Sequence, residues 1–421
     1  MSQTSLAAWL ERLEACSPEA RIELGLARVR RVFQRLDLNL SGIPVITVAG
    51  TNGKGSTVAY LEAIFQAAGK RTLAYTSPHL LKFSERIRIN QAQASDAAIV
   101  RALDTVERCR ENEALTYFEH ITLAALVLAS GADVDALLLE VGLGGRLDAV
   151  NIVDPDVAVL TSIGLDHTEW LGKTRRAIGC EKLGIARSGQ PLIVGERRLP
   201  KGFCDDLAAS GAQVARIGRD FQIRRTATGF RLIRAGGALD LPLPALAGEC
   251  QLDNAACAVM AFEAITARCP VRSDAIRQGL PAARVPGRQQ VIRTDPLVMI
   301  DVAHNTAAAR QLAATLGPAQ GPSVAIFSAL NDKRVAAMAK VLDPCFDHWM
   351  LIGLTGSRGS TAEELAACLA AVPVTGRVDG LESVAVAVRH ALHRCNRNGR
   401  VVVFGSFRTV AEAWPELERL G

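Results

Sequence analysis

Residues 50–56, Gly50-Thr51-Asn52-Gly53-Lys54-Gly55-Ser56, are the stretch of this chain whose chemistry is easiest to read. Glycines let backbone N–H groups close on phosphate oxygens, and a helix beginning there adds partial positive charge. Lys54 would meet the outer phosphates of a nucleotide, and a hydroxyl just after it, that of Ser56, would reach a magnesium ion. The run departs from G-x-x-x-x-G-K-[ST]: Val48 holds the first glycine position and Gly55 separates Lys54 from Ser56. A glycine-rich turn that happens to contain a lysine is the competing reading. A second run, Gly142-Leu143-Gly144-Gly145-Arg146, lacks the last glycine of a dinucleotide-binding fingerprint, because Leu147 stands there. It supports an oxidoreductase only weakly.

The flanking elements favour the phosphate reading. Residues 43–49 are a short apolar, β-branched run of the kind that forms a buried strand. After the glycines, Val58, Leu61, Ile64 and Phe65 recur at helical spacing, and Gly69 is a helix stop. Residues 71–76 again read as a strand, 121–128 as a helix, and 134–140 and 157–162 as strands. Strands alternating with helices predict an α/β fold: an N-terminal P-loop-type domain whose mostly parallel sheet carries helices on both faces. Ligands of such sheets gather at the carboxyl ends of the strands. Two prolines and a glycine near 280–288 mark an irregular stretch. The domains are expected at 1–290 and 297–421, joined by a linker at 291–296. The second is a smaller α/β, Rossmann-like domain, with strand-like runs at 297–300, 324–327 and 401–404.

Composition narrows the classes. At 421 residues, two domains are expected. The net charge of +5 is spread over many arginines, with no basic run that would suggest a nucleic-acid arm. Aromatic residues are only 5%, which predicts mainly aliphatic cores. Ten cysteines occur without a C-x-x-C pair, most of them expected as small buried hydrophobes in a reducing compartment. No apolar stretch reaches the roughly 18 residues that span a bilayer, and Met1–Leu10 lacks the pattern of an export signal. A cytoplasmic monomer without nucleic-acid or membrane partners is expected.

Several segments in order resemble the folylpolyglutamate synthase/dihydrofolate synthase family of the Mur ligase superfamily, in its bifunctional bacterial type. They are residues 48–56, Thr76-Ser77-Pro78-His79-Leu80, Thr116-Tyr117-Phe118-Glu119 and residues 139–149. The series continues with Thr161 to His167, Glu181 to Ile185, Pro286-Gly287-Arg288, Asp301-Val302-Ala303-His304-Asn305 and Gly405-Ser406-Phe407. The resemblance implies an ATP-dependent carboxylate–amine ligase that adds L-glutamate to 7,8-dihydropteroate and to reduced folates through an acyl phosphate. It implies ATP contacts at Thr51, Asn52, Gly53, Lys54, Gly55, Ser56, Asn254, Arg288 and Asp301. It implies magnesium, two ions, held by Ser56, Ser77, Glu140, His167 and Lys182, the last carbamylated by CO2. It further implies a pterin-side pocket at Glu23, Leu24, Gly25, Thr116, Tyr117, Phe118, Glu119, Leu147, Asp148 and Ala149. His304 and Asn305 fall near the glutamate and the reacting acyl group; Lys54, Lys182 and His304 are the catalytic candidates. The pattern departs at Cys250, where relatives often carry histidine, at Leu183 in place of alanine, and at Glu23, where a shorter aspartate is common.

The residues agree with these roles while leaving alternatives open. Glu140 ends an apolar strand, where a buried carboxylate calls for a partner; a divalent cation is one, a structural salt bridge another. Lys182 as an ammonium would repel a metal, whereas a carbamate supplies two oxygens; the alternative is an exposed lysine paired with Glu181. His304 and Asn305 could equally form a helix N-cap cluster. Tyr117 and Phe118 offer aromatic faces to a flat ring. Rival functions are a monofunctional folylpolyglutamate synthase, another Mur-type amino-acid ligase, and a nucleotide-binding regulatory module.

Overall fold

The computed structural model describes residues 5–18, 21–265, 274–356, 358–395 and 398–420. Cys269 and the first four residues, on which the cysteine and export-signal expectations partly rest, lie outside them. The chain forms two compact units: residues through Ala245 with Gln251–Arg284, and Leu246–Cys250 with Val285–Gly421.

The first unit is built on a sheet of eight strands: β1 (Val45–Ala49), β2 (Thr72–Tyr75), β3 (Ile87–Ile89), β4 (Ala92–Gln93), β5 (Ala136–Glu140), β6 (Val157–Leu160), β7 (Pro191–Val194) and β8 (Gln213–Arg216). Their order is β4-β3-β2-β5-β1-β6-β7-β8, parallel from β2 to β8, with β3 and β4 antiparallel at one edge. β1 and β5 are buried at every position, as strands covered on both faces must be. β1 lies between β5 and β6, so the carboxyl ends of these three strands converge where the strand order reverses. The helix Lys54–Ala67 follows β1 and is buried along almost its whole length. A separate antiparallel sheet, β9 (Phe221–Arg225), β10 (Gly229–Arg234) and β11 (Gly237–Pro242), had no counterpart in the sequence reading.

The second unit holds β12 (Gln290–Thr294), β13 (Leu297–Asp301), β14 (Ser323–Phe327), β15 (His348–Ile352), β16 (Arg377–Leu381) and β17 (Arg400–Phe404), ordered β12-β13-β17-β14-β15-β16. All pairs are parallel except the first. The linker expected at 291–296 is therefore largely an edge strand. Its side chains are half-buried or exposed, none fully buried, which hides the strand in a sequence scan for apolar runs. The core here is mainly aliphatic, as expected, around one aromatic group. Phe327, Phe346, Trp349 and Phe404 form a buried aromatic nest with ring centroids 5.1–6.1 Å apart.

None of the nine described cysteines is in a disulfide, and only Cys257, Cys345 and Cys395 are buried; Cys16, Cys180 and Cys204 are exposed. Most are thus not core residues, because several fall on outward faces of helices. Among the described residues no helix is long and apolar enough to cross a membrane.

Candidate active site at the strand ends

The loop after β1 is held by the chain that leaves β6. Thr51 N–H donates to the Ser162 carbonyl at 2.9 Å, Asn52 N–H to Ser162 Oγ at 2.9 Å, and Thr161 Oγ1 to the Asn52 carbonyl at 2.7 Å. Gly53 takes φ +89°, and a Cβ there would run into the Asn254 side chain, so glycine is required at the helix entry. Asn254 itself is placed by Gln251, whose Oε1 accepts from Asn254 Nδ2 at 3.0 Å while its Nε2 donates to Ser56 Oγ at 3.3 Å. The residue beside the Cys250 departure thus performs a buried positioning task that the sequence reading missed.

Two lysines meet on one carbonyl. Lys54 Nζ lies 3.1 Å from the Gly50 oxygen and Lys182 Nζ lies 3.2 Å from the same atom. Lys182 lies in the last turn of the helix Arg175–Leu183 and is buried. Burial first, and then the charge of Lys54, push its amine down to about 7, with Asp166 and Asp148 opposing. The exposed Lys182–Glu181 pair considered as an alternative does not form; Glu181 pairs with Arg146 at 2.8 Å. Asp148, fully buried, is pushed up to about 6 by desolvation, against the amides of Leu143 and Val150, which donate at 2.8 and 3.1 Å.

Glu140 is buried at the end of β5. A Cβ on Gly55 would stand 3.4 Å from its Oε2, and the Ser77 amide donates to that oxygen at 3.3 Å. The carboxylate therefore lies against the first turn of the phosphate-loop helix and the start of the Ser77 loop. His167 sits in a left-handed conformation, φ 50°, at the N-terminus of a short helix, its amide bonded to Asp166 Oδ1 at 3.0 Å.

In the second unit, Asp301 closes β13 and is buried, with burial raising its carboxyl above the usual range and Arg288 opposing. Its oxygens accept from the Gln289 amide at 2.9 Å and the Ala303 amide at 2.6 Å. Asn305 is the N-cap of the helix Thr306–Leu316, accepting from Ala308 N–H at 3.0 Å, so the cap reading holds for it. His304 is placed differently: Nδ1 lies 2.8 Å from the Val302 carbonyl and the ring lies 6.1 Å from that of Phe407. Arg288 stands over the same ring at 5.7 Å.

Residues 48–262 match the Mur ligase middle domain and residues 287–407 the Mur ligase glutamate ligase domain. The dihydrofolate synthase/folylpolyglutamate synthase of Escherichia coli K12 is 42% identical over 409 residues, covering 96% of this chain and 94% of that protein. The chain belongs to the dihydrofolate synthase/folylpolyglutamate synthase family. An E. coli FolC structure in complex with DHPP and ADP superposes with a TM-score of 0.92 at 41% identity, over 99% of this chain and 98% of that one. A bifunctional folylpolyglutamate synthase/dihydrofolate synthase with Mn, AMPPNP and L-glutamate bound matches at 0.89 and 43% identity, over 98% of each chain.

The pocket candidates of this family member divide in two. Tyr117 is a core residue, and Thr116 and Glu119 form the capping box of the helix Tyr117–Gly131, with the Thr116 amide donating to Glu119 Oε2 at 2.8 Å. Phe118 is half-buried and lies so close to Gly142 that a Cβ there would strike its ring. Leu24 and Gly25 are half-buried, Leu147 is half-buried, and Ala149 is buried beside Asp148. Glu23 and Glu119 are joined by Arg28, which pairs with Glu23 Oε2 at 3.0 Å and Glu119 Oε2 at 2.7 Å. Arg28 was not singled out from sequence, although Glu23 five residues before it on an entering segment offered a charge-pair signal.

Proposed function

We propose that this chain joins L-glutamate to 7,8-dihydropteroate, giving dihydrofolate, and adds further glutamates to reduced folates, each time at the expense of ATP. The observation that carries this reading is the pair of lysines converging on the Gly50 carbonyl beside a glycine-lined helix N-terminus. The Lys54 cation at a helix N-terminus calls for an anionic ligand, and the buried amine of Lys182 beside it, neutral in part, is open to modification. The names and bound ligands of the relatives support the same reading, and the choice of dihydropteroate follows them.

The donor set suits a divalent cation. Ser56 belongs to the first turn of the helix that Glu140 lies against from the end of β5, Ser77 adjoins Glu140 through its amide, and these would supply the oxygen ligands that magnesium prefers. We assign Ser56, Ser77, Glu140 and His167, with Lys182 as a carbamate, to hold two magnesium ions. Magnesium bound there would neutralise charge on the phosphoryl oxygens. An amine held near 7 is neutral in part at physiological pH, so it can attack CO2, forming an N–C bond and releasing a proton. The resulting carbamate replaces a cation facing Lys54 with an anion.

In the reaction, the carboxylate of the pteroyl substrate attacks the γ-phosphorus in line while the bond to ADP breaks. Lys54 offsets charge on the transferred group, and Thr51 to Ser56 orient it. The amino group of glutamate then attacks the acyl phosphate, and inorganic phosphate leaves as the amide forms. Asn254 is assigned to the nucleotide in the first unit. Arg288 and Asp301 take the same role in the second, and His304 and Asn305 are assigned to glutamate. Glu23 to Gly25, Thr116 to Glu119 and Leu147 to Ala149 are assigned to the pterin side, with Phe118 as the stacking face.

Incubation of the purified protein with 7,8-dihydropteroate, glutamate, ATP and Mg2+ is expected to release ADP and form dihydrofolate. ADP release with tetrahydrofolate but not with dihydropteroate would leave only the polyglutamylating activity. Release with neither, but with a UDP-linked precursor, would move the chain to another Mur-type ligase.

A further inference from the structure

Arg88 on β3 has no role in the assignments above, yet its guanidinium is fully engaged. Nε donates to the two carboxylate oxygens of Glu62 at 3.2 and 3.0 Å, and Nη2 donates to Glu62 Oε2. Nη1 turns the other way, donating to Thr76 Oγ1 at 2.9 Å and to the Glu85 carbonyl at 2.7 Å. Glu62 is a buried residue of the phosphate-loop helix; burial raises its carboxyl, and Arg88 opposes that rise. Thr76 directly precedes Ser77. Glu85 closes the turn that follows Ser77, its carboxylate accepting the amides of Leu80, Leu81 and Lys82 at 2.8, 2.9 and 2.7 Å. One side chain thus ties the phosphate-loop helix to both ends of the Ser77 segment.

An ion pair kept only for stability would not need this arrangement. A buried pair is often matched or bettered by two apolar residues, and a lysine would satisfy the charge of Glu62. What lysine and apolar residues cannot supply is the second prong of the fork, which reaches Thr76 and Glu85 while the first holds Glu62. Donors that fix the residues around a metal govern its affinity as strongly as many ligands do.

We propose that Arg88 is a positioning residue for the metal–nucleotide site, setting the Ser77 hydroxyl relative to Ser56 and Glu140 by locking its segment to the phosphate-loop helix. The proposal rests on the ligase reading above. It is tested by measuring Mn2+ binding with electron paramagnetic resonance, in the presence of AMPPNP, for the full-length wild type, Arg88→Lys and the double variant Glu62→Leu/Arg88→Met. In Arg88→Lys, Mn2+ affinity is expected to fall by about ten- to a hundredfold and the KM for metal–ATP to rise, while the KM for dihydropteroate holds. The double variant removes both charges and is expected to melt close to the wild type, yet to keep the weakened Mn2+ affinity because the link to Thr76 and Glu85 is gone. Wild-type affinity in either variant overturns the positioning role and leaves a structural ion pair. Should the double variant fail to fold, Arg88→Lys, which keeps a charge opposite Glu62, decides alone. A wild type that binds Mn2+ and AMPPNP while the variants match it defeats only this proposal; a wild type that binds neither and releases no ADP defeats the ligase reading beneath it.

Discussion

Glu140 closes β5 in the first unit and Asp301 closes β13 in the second; both are buried carboxylates at the ends of buried strands. Their surroundings differ in kind. Asp301 accepts backbone amides of its own neighbourhood, Gln289 and Ala303, and serves as the hinge-pin of a turn. Glu140 faces the first turn of a glycine-lined helix, and nearby two lysines crowd one carbonyl oxygen. At Asp301 the second unit settles a buried charge with its own backbone amides. The first keeps like charges together and desolvated, an arrangement that costs stability by itself and becomes favourable once an anion and a cation are bound.

That contrast can be broken at several points. Lys54→Met removes the charge aimed at the phosphoryl group, so kcat should fall by roughly a thousandfold while the circular dichroism spectrum and melting temperature hold or improve. A variant that loses stability instead would show Lys54 to be a structural cation. Lys182→Met should lower activity by about a hundredfold, comparable to loss of a key charge stabiliser, with partial rescue by small carboxylates that replace the carbamate oxygens. The absence of any rescue would count against carbamylation.

Lys182 also predicts a pH dependence of the unliganded protein. Its folded value of about 7 lies below the ordinary 10.5, so between these values the unfolded chain binds more protons than the folded one. Wild-type stability should therefore climb as pH rises from about 7 towards 10, relative to Lys182→Met, in CO2-free denaturant titrations. A difference that is flat over this window would mean the buried amine is not desolvated as described. Gly53→Ala should destabilise by about 1–3 kcal/mol, through its left-handed backbone and the clash with Asn254, and raise the KM for ATP. The smallest effect belongs to the second unit: Asp301→Asn leaves one oxygen for two amide donors, the loss of one hydrogen bond, and should cost about 1 kcal/mol, read as a drop of a few degrees in melting temperature. A loss of stability at Asp301 larger than at Gly53 would reverse the ranking of the two regions.

The strands and helices around the phosphate loop were legible because their patterns are local: β1, β5 and β6 are short apolar runs buried on both faces, and the helix after Gly53 repeats at its proper spacing. The three-stranded β9–β11 sheet and the edge strand β12 were not. They pair as neighbouring antiparallel hairpins, but arginines and other polar residues interrupt β9, β10, β11 and β12, so none of them shows as an apolar run. Among site residues, Asn305 as a cap could be read from its place before a helix, whereas the separate fate of His304 could not.

By itself, then, the order of residues determined which segments could become buried strands and where glycine would admit a phosphate, since backbone freedom and apolar periodicity are properties of neighbours in the chain. Tertiary structure alone decided that Glu181 pairs with Arg146 while Lys182 turns inward, that Gln251 reaches Ser56, and that Arg88 joins Glu62 to Thr76. Burial and charge proximity act between residues far apart in sequence, and those distances exist only in the folded chain.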